Sequence, residues 1–303
     1  MSTVRTDGRG GLTDSGVLDI CALPDDCIAA IISFTTALDA CRLSLVSTVF
    51  KTVADSDIVW VKFLPSDCQN LISEYPAVSS RKDLYFRLCD NPVLIEDGRK
   101  SFSLDKRSGK KCYMLAARDL TIVWGDTPSY WKWTTLPDSR FSEVAELLSV
   151  CWFEVRGRIN THMLSPMTHY KAYLVFKATM ATFGFEYQPV EVSVGLAGTE
   201  GRKQTVYVDI ERERGQRLWI PTRRGGTRFR NLMVRQPASR PPRESNGQYP
   251  KDRKDGWSEV ELGEFFNEGL GDGELEVSIL QLAGHWKGGL VIQGIEIRPV
   301  SSR

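Results

Sequence analysis

The sequence predicts an α+β multidomain chain: a small all-helical unit followed by an all-β antiparallel sandwich of jelly-roll type. Three observations predict it. Apolar side chains recur at helical spacing as far as Pro65, the apolar period switches to two beyond Ala116, and turn residues separate the alternating runs where helices would otherwise stand. At 303 residues the chain is long enough for two domains and a sizeable core.

Residues 1–18 are rich in Gly, Ser and Asp, with too few apolar side chains to offset the entropy of ordering, and are expected to be a disordered tail. The helical unit is expected over 19–66. Leu23-Pro24-Asp25-Asp26 reads as a helix start, because proline suits a position whose N–H is orphaned and acidic residues favour the positive end of the dipole. Ile28, Ile31 and Ile32 follow as one apolar stripe at i, i+3, i+4. Leu38, Cys41 and Leu45 suggest a second helix, and Val46, Phe50, Val53, Trp60, Phe63 and Leu64 continue the unit to Pro65. So small a unit is marginal alone. Excess apolar surface on its first helix makes sense as a partner interface; the plainer alternative is a helical subdomain packed on the rest of the chain.

Residues 67–115 read as a connector. Lys82 to Cys89 has Leu84, Tyr85 and Leu88 on one helical side, Asn91-Pro92 breaks it, and Asp97 to Lys111 is charged without clear period. A helix over Gln69 to Asp90 could hold two domains at a fixed separation.

The β-domain is expected over 116–300. Phe153, Val155, Gly157 and Ile159 alternate with Glu154, Arg156 and Arg158, and Tyr170 to Ala178 and Val190 to Leu196 repeat the pattern. Val206, Val208 and Ile210, then Val260 and Leu262, Leu275 to Ile279, and Val291 to Ile297 continue it. An Arg-rich insertion over 211–249 interrupts the rhythm. It reads as a solvated inter-strand segment, with a nucleic-acid or nuclear-import patch as the alternative. The absence of interleaved aromatics counts against single-strand binding.

Ala116 to Ile159 organises this domain and holds four of the eight tryptophans: Trp124, Trp131, Trp133 and Trp152. Leu120 to Trp124 has strand composition, Gly125 to Ser129 breaks it, and Tyr130-Trp131-Lys132-Trp133 then places two indoles two residues apart, on one face of an extended chain. These residues admit two readings. The rings fill a β-core, as tryptophans commonly do, or they form an exposed platform for the apolar face of a sugar ring.

Several function classes are set aside. With 39 basic and 38 acidic side chains, no net field draws the protein to nucleic acid or to a membrane. There is no run of eighteen apolar residues, and the first residues lack the apolar region of a secretory signal. Seven scattered cysteines, an odd number, suggest reduced thiols in the cytosol or nucleus. Three isolated histidines, no Cys-x-x-Cys pair, no phosphate loop and no nucleophile elbow point to a non-catalytic protein that needs no cofactor or metal.

TIVWGDTPSYWKW, EVAELLSVCWFEVRGRI, HYKAYLVFK, DGWSEVELGEFFNEGLGDGELEV and GGLVIQGIEIRP resemble successive blocks of the phloem lectin, or Nictaba-like, domain. The resemblance runs from about Ala116 to Pro299 and implies a β-sandwich recognising N-acetylglucosamine oligomers and N-glycan cores. It implies Trp124 and Trp131 as sugar contacts and Glu274 as a carboxylate accepting from sugar hydroxyls, with Trp133 kept as a further candidate. Gln281 stands where the family lectin carries an acid.

LPDDCIAAIISFTTALDACRLSLVSTVF, with Trp60 beyond it, resembles the F-box. That resemblance implies docking on a Skp-type adaptor, and through it a cullin scaffold, by Leu23, Pro24, Ile28, Ile31, Ile32 and Val46. Together the two imply a substrate-recognition subunit of a ubiquitin ligase that binds glycoproteins in cytoplasm and nucleus. The alternatives are a receptor whose sandwich binds a protein degron without sugar, and a free nucleocytoplasmic lectin.

Overall fold

A computed structural model describes residues 20, 23–68, 78–186, 188–199, 201–208, 248–269 and 271–300. The tail expected over 1–18 and nearly all of the insertion expected over 211–249 lie outside the described residues. The chain divides into two units, Met1–Leu84 and Tyr85–Arg303.

In the first unit, helices α1 (Asp25–Ser33), α2 (Ala37–Leu43), α3 (Thr48–Ala54) and α4 (Asp57–Phe63) start where the sequence supplies caps. Pro24 precedes α1 at φ −54°, the Thr36 hydroxyl accepts from the Asp39 N–H at 3.1 Å, and the Ser47 hydroxyl accepts from that of Phe50 at 3.2 Å. Ile28, Ile32, Ala40, Phe50, Val53, Val59 and Trp60 form the interior, and the Trp60 indole donates to the Ala54 carbonyl at 2.6 Å.

This interior corrects one expectation. Ile28 and Ile32, read above as adaptor contacts, are fully buried and hold α1 to its neighbours. Ile31 directly precedes Ile32, about 100° round the helix, and is exposed with Leu23, Pro24 and Val46. A unit this short needs the i, i+4 pair of its first helix for its own core.

Helix α5 (Arg81–Asp90) contains the division between the units. Three strands follow where a connector was expected: β1 (Val93–Ile95), β2 (Lys100–Leu104) and β3 (Lys111–Ala116). They form a meander, and β3 pairs with β14 (Gly288–Pro299) in the register Tyr113↔Ile297 to Ala116↔Gly294. The β-domain therefore begins well upstream of Ala116. Its first strands were obscured because Lys100, Lys110, Lys111 and Asp105 dilute the alternation, although Phe102, Leu104, Tyr113, Met114 and Leu115 are buried.

The larger sheet has the order β1-β2-β3-β14-β8-β12-β11, with β8 (Thr168–Phe183), β12 (Ser258–Asn267) and β11 (Lys251–Asp252). The short strands β5 (Trp131–Thr134) and β6 (Val144–Leu147) join it through pairing of β6 with β14. The smaller sheet has the order β10-β9-β13-β7-β4: β10 (Arg202–Val206), β9 (Val190–Leu196), β13 (Glu274–Gln281), β7 (Phe153–Asn160) and β4 (Thr121–Ile122). Among the described residues every pair of strands is antiparallel. The sheets face one another across alternating side chains: Val155 and Ile159 of β7, Val277 and Ile279 of β13, and Ile295 and Ile297 of β14 are all buried. Gly157 sits at their closest approach, where a Cβ would lie 3.0 Å from Ile295, Leu115 and Leu120.

On the outer face of the larger sheet, Glu296 is buried among three guanidinium groups. Arg253 bonds it at 2.6 Å and Arg298 at 2.9 Å, with Arg140 at 3.6 Å. Arg253 and Arg298 also bond Glu259 of β12, which ties β12 to β14 across β8. Burial opposes ionisation of Glu296, yet the surrounding arginines prevail and hold its carboxyl below the ordinary value of 4.5.

Two outcomes are expected. A fragment of residues 85–303 melts cooperatively, whereas residues 116–303 lose β3 and the partner of one edge of β14, and melt far lower or not cooperatively; calorimetry distinguishes them. Replacing Glu296 with Gln removes the buried charge that Arg140, Arg253 and Arg298 share, leaves Glu259 to Arg253 and Arg298 alone, and costs about 3 kcal/mol near neutral pH. Because the folded carboxyl titrates below 4.5, its contribution is present above that pH and lost as the pH falls through the lower folded value. The difference between Glu296→Gln and the parent in chemical denaturation therefore shrinks in acid.

Candidate functional site

The turn between β4 and β5 is built around a strained residue. Trp124 has φ +57°, a conformation costly for a residue with a bulky Cβ, and its ring is 42% exposed. The two indoles that follow hold it there. Trp131 donates from Nε1 to the Val123 carbonyl at 3.2 Å, and Trp133 donates from Nε1 to the Gly125 carbonyl at 3.0 Å. The carbonyls of the residues before and after Trp124 are thus both held by side chains from β5. Backbone bonds complete the turn, from Gly125 N–H to Ile122 and from Thr127 N–H to Trp124. Trp131 is buried against Phe153, with centroids 6.2 Å apart, and Trp133 is half-buried beneath the Arg118 guanidinium at 3.6 Å.

Tyr130 points to the opposite side of β5 and meets Trp124, with centroids 5.4 Å apart. On its other flank lies Trp286, 6.5 Å away and 54% exposed. Three rings from two loops thus form a continuous aromatic surface at one end of the sandwich. Trp286 comes from the loop between β13 and β14. Near its base, the bridge between Val150 and Lys287 joins that loop to the one between β6 and β7, which carries the exposed Trp152. Trp152 donates to Glu154 at 3.0 Å. Such a surface can cover the C–H face of a pyranose, while nearby polar groups satisfy hydroxyls that would otherwise lose hydrogen bonds.

The sequence-predicted residues are divided by this geometry. Trp124 is exposed at the site. Trp131 and Trp133 share a face, as their spacing requires, but that face is the inner one, and they support the turn while Trp124 occupies the surface. Trp131 is therefore a core residue, contrary to the contact expected of it; its ring closes the sandwich against Phe153. Glu274 is exposed, but it pairs with Asn160 at the far end of β13, whereas Gln281 pairs with Phe153 near the aromatic surface. Seven residues of strand separate the two, about 23 Å at 3.3 Å per residue. Glu274 thus lies away from Trp124, and Arg158 is 3.9 Å from it. Gln281 is buried, with its amide bonded to Pro189 O and Ala283 N.

Trp286 and Tyr130 were missed. Tyr130 lies on the face opposite the two indoles, and only the indoles were weighed as a platform. Trp286 stands alone in a Gly-rich stretch, AGHWKGG, where an isolated indole among turn residues was the available signal. In the helical unit, Phe34 and Leu45 were likewise missed as contacts, although they are 91% and 86% exposed, more than Leu23, Ile31 or Val46. Phe34 follows the last residue of α1, and Leu45, read as part of the second helix, lies just past the end of α2.

Truncation should separate the two kinds of tryptophan. Trp131→Ala is expected to cost about 3–5 kcal/mol of folding stability, since it empties a core position. Trp286→Ala should melt within a few degrees of the parent, because most of its ring is already hydrated. Thermal melts of the two variants check this.

The phloem protein 2 family model matches residues 110–299, and the F-box domain model matches residues 20–62. The chain is 46% identical to F-box protein PP2-B1 of Arabidopsis thaliana, over 93% of this chain and 90% of that one. It is 45% identical to F-box protein PP2-B10 of the same plant, over 92% of this chain and 93% of that one. The helical unit with its exposed apolar residues and the double-sheet domain with its aromatic end are the two parts that these matches join, and the chain belongs to the F-box proteins that carry a phloem protein 2 domain.

Proposed function

We propose that the chain is a substrate-recognition subunit of a cullin-based ubiquitin ligase, binding a Skp-type adaptor through its helical unit and glycan-bearing proteins through the aromatic end of its β-domain. The observation that supports the glycan half is Trp124, an exposed indole kept at positive φ by two supporting indoles. Strain of this kind persists where surrounding groups over-determine it, and it concentrates at binding sites. N-acetylglucosamine oligomers and N-glycan cores are the ligands that membership of the lectin-like family suggests, with Trp124, Tyr130 and Trp286 as the stacking surface. Glu274 is too distant along β13 to serve the same sugar unit.

The adaptor half rests on Leu23, Ile31, Phe34, Leu45 and Val46, large apolar side chains exposed on a unit of four short helices. Isolated exposed apolar residues are ordinary, but this concentration on so small a unit fits a surface covered by a partner. Ile28 and Ile32 contribute by shaping α1 from inside. The chain is proposed to work in cytoplasm and nucleus, where the adaptor and cullin act.

Calorimetry with a purified Skp-type adaptor and with N,N′,N″-triacetylchitotriose tests both halves. Phe34→Ala combined with Leu45→Ala should remove about 2–4 kcal/mol of adaptor binding, as central interface residues do, and leave sugar affinity unchanged. Trp124→Ala should abolish sugar binding with adaptor binding intact. Adaptor binding without any sugar binding by the parent protein would point instead to a protein degron as the ligand of the β-domain.

A further inference from the structure

Lys287 is fully buried, yet its ammonium meets no carboxylate among the described residues. Its Nζ donates instead to three backbone carbonyls: Cys151 at 2.7 Å, His285 at 2.9 Å and Ala283 at 3.1 Å. All three donors of the ammonium are used, and a neutral amine could supply only two of them. Two of the acceptors are placed tellingly. The Cys151 carbonyl immediately precedes Trp152, and the His285 carbonyl immediately precedes Trp286, so one cation holds the peptide groups that launch both exposed indoles.

The main chain of Lys287 repeats the link, donating to and accepting from Val150 at 2.8 and 2.9 Å. His285 Nε2 lies 2.7 Å from the Gly184 carbonyl, and the Ala283 N–H donates to Gln281 at 2.8 Å, so the loop is held on several sides.

A buried cation without a counter-ion is an expensive way to hold a fold together. Removing an ion from water costs several kcal/mol, and apolar replacement of buried charges is often neutral or stabilising. Desolvation lowers the pKa of Lys287 accordingly. What a methionine of similar length cannot do is converge three carbonyls on one point.

We propose that Lys287 is a positioning residue for the glycan site, whose ammonium fixes the loops 148–152 and 282–286 in one arrangement and thereby sets Trp286 and Trp152 relative to Trp124 and Tyr130. The proposal rests on the glycan reading of that surface. It extends the site beyond Trp124 by making the pose of Trp286 depend on a group that touches no ligand.

The test compares the full chain with Lys287→Met and Lys287→Arg in three measurements. Global melting of Lys287→Met is expected within a few degrees of the parent, while amide hydrogen exchange in 150–152 and 282–286 rises at least tenfold. Triacetylchitotriose affinity is expected to fall at least tenfold in Lys287→Met, and Lys287→Arg, which keeps the charge and several donors, should recover part of both effects. Unchanged exchange in these two loops overturns the proposal, as does a loss of exchange protection spread evenly over the β-domain, which would make Lys287 a general core residue. If the parent binds no chito-oligomer, the glycan reading fails and the proposed role in that site fails with it, while the exchange measurement still reports whether the ammonium orders the loops.

Discussion

The β-domain depends on β14. Of its twelve residues, all but Arg298 are buried, and it is paired with β8 along nearly its whole length on one side and with β3 and β6 on the other. A strand buried on both faces and bonded at both edges cannot slip without moving every neighbour. Its register therefore determines where β3 lies, where the Glu296 network closes, and where the preceding loop leaves the sheet. Gly288 permits the start of β14 to press against the Leu148 backbone, where a Cβ would come within 2.2 Å of the carbonyl oxygen. That close approach draws the loop carrying Trp286 up to the loop carrying Trp152.

The aromatic surface is a consequence of this arrangement. Trp124 and Tyr130 arrive on the β4–β5 turn, and Trp286 arrives from the far end of the chain through β14. None of the three is positioned by its own neighbours in sequence alone. Trp124 is held by Trp131 and Trp133, which donate to the carbonyls on either side of it. Trp286 is held by the ammonium of Lys287 through the carbonyl before it. In both cases a buried polar donor satisfies backbone acceptors that an irregular turn would leave orphaned, and the exposed ring is carried as a result.

The helical unit follows a different economy of surface. Its core takes Ile28, Ala29 and Ile32 of α1, leaving Ile31 outside, and its two least covered large apolar side chains among the described residues, Phe34 and Leu45, stand just past helix ends. Small size decides this: four short helices cannot cover all their apolar residues, and the remainder is available to a partner.

What the sequence determined by itself was whatever depends on local period and on turn chemistry. The helical start at Pro24, the alternation from Phe153 to Ile159 and the central strands β8, β9 and β13 were all legible, because each is specified by residues within one element. The likeness to phloem lectin and F-box blocks was legible for the same reason, as it is carried by contiguous motifs. Tertiary structure decided which side of each element faced inward. Tyr130 and Trp131 are adjacent where the turn enters β5, and only the position of β5 against Phe153 made Trp131 a core residue and left Tyr130 at the surface. Strands β1 to β3 were hidden because Lys100, Lys111 and the charged turns around them dilute the alternation, while β14, the partner of β3, lies far along the chain. Ile28 and Ile31 present the same difficulty on a helix. Periodicity identifies a face, but only the neighbours packed against it determine which of its residues remain in contact with water.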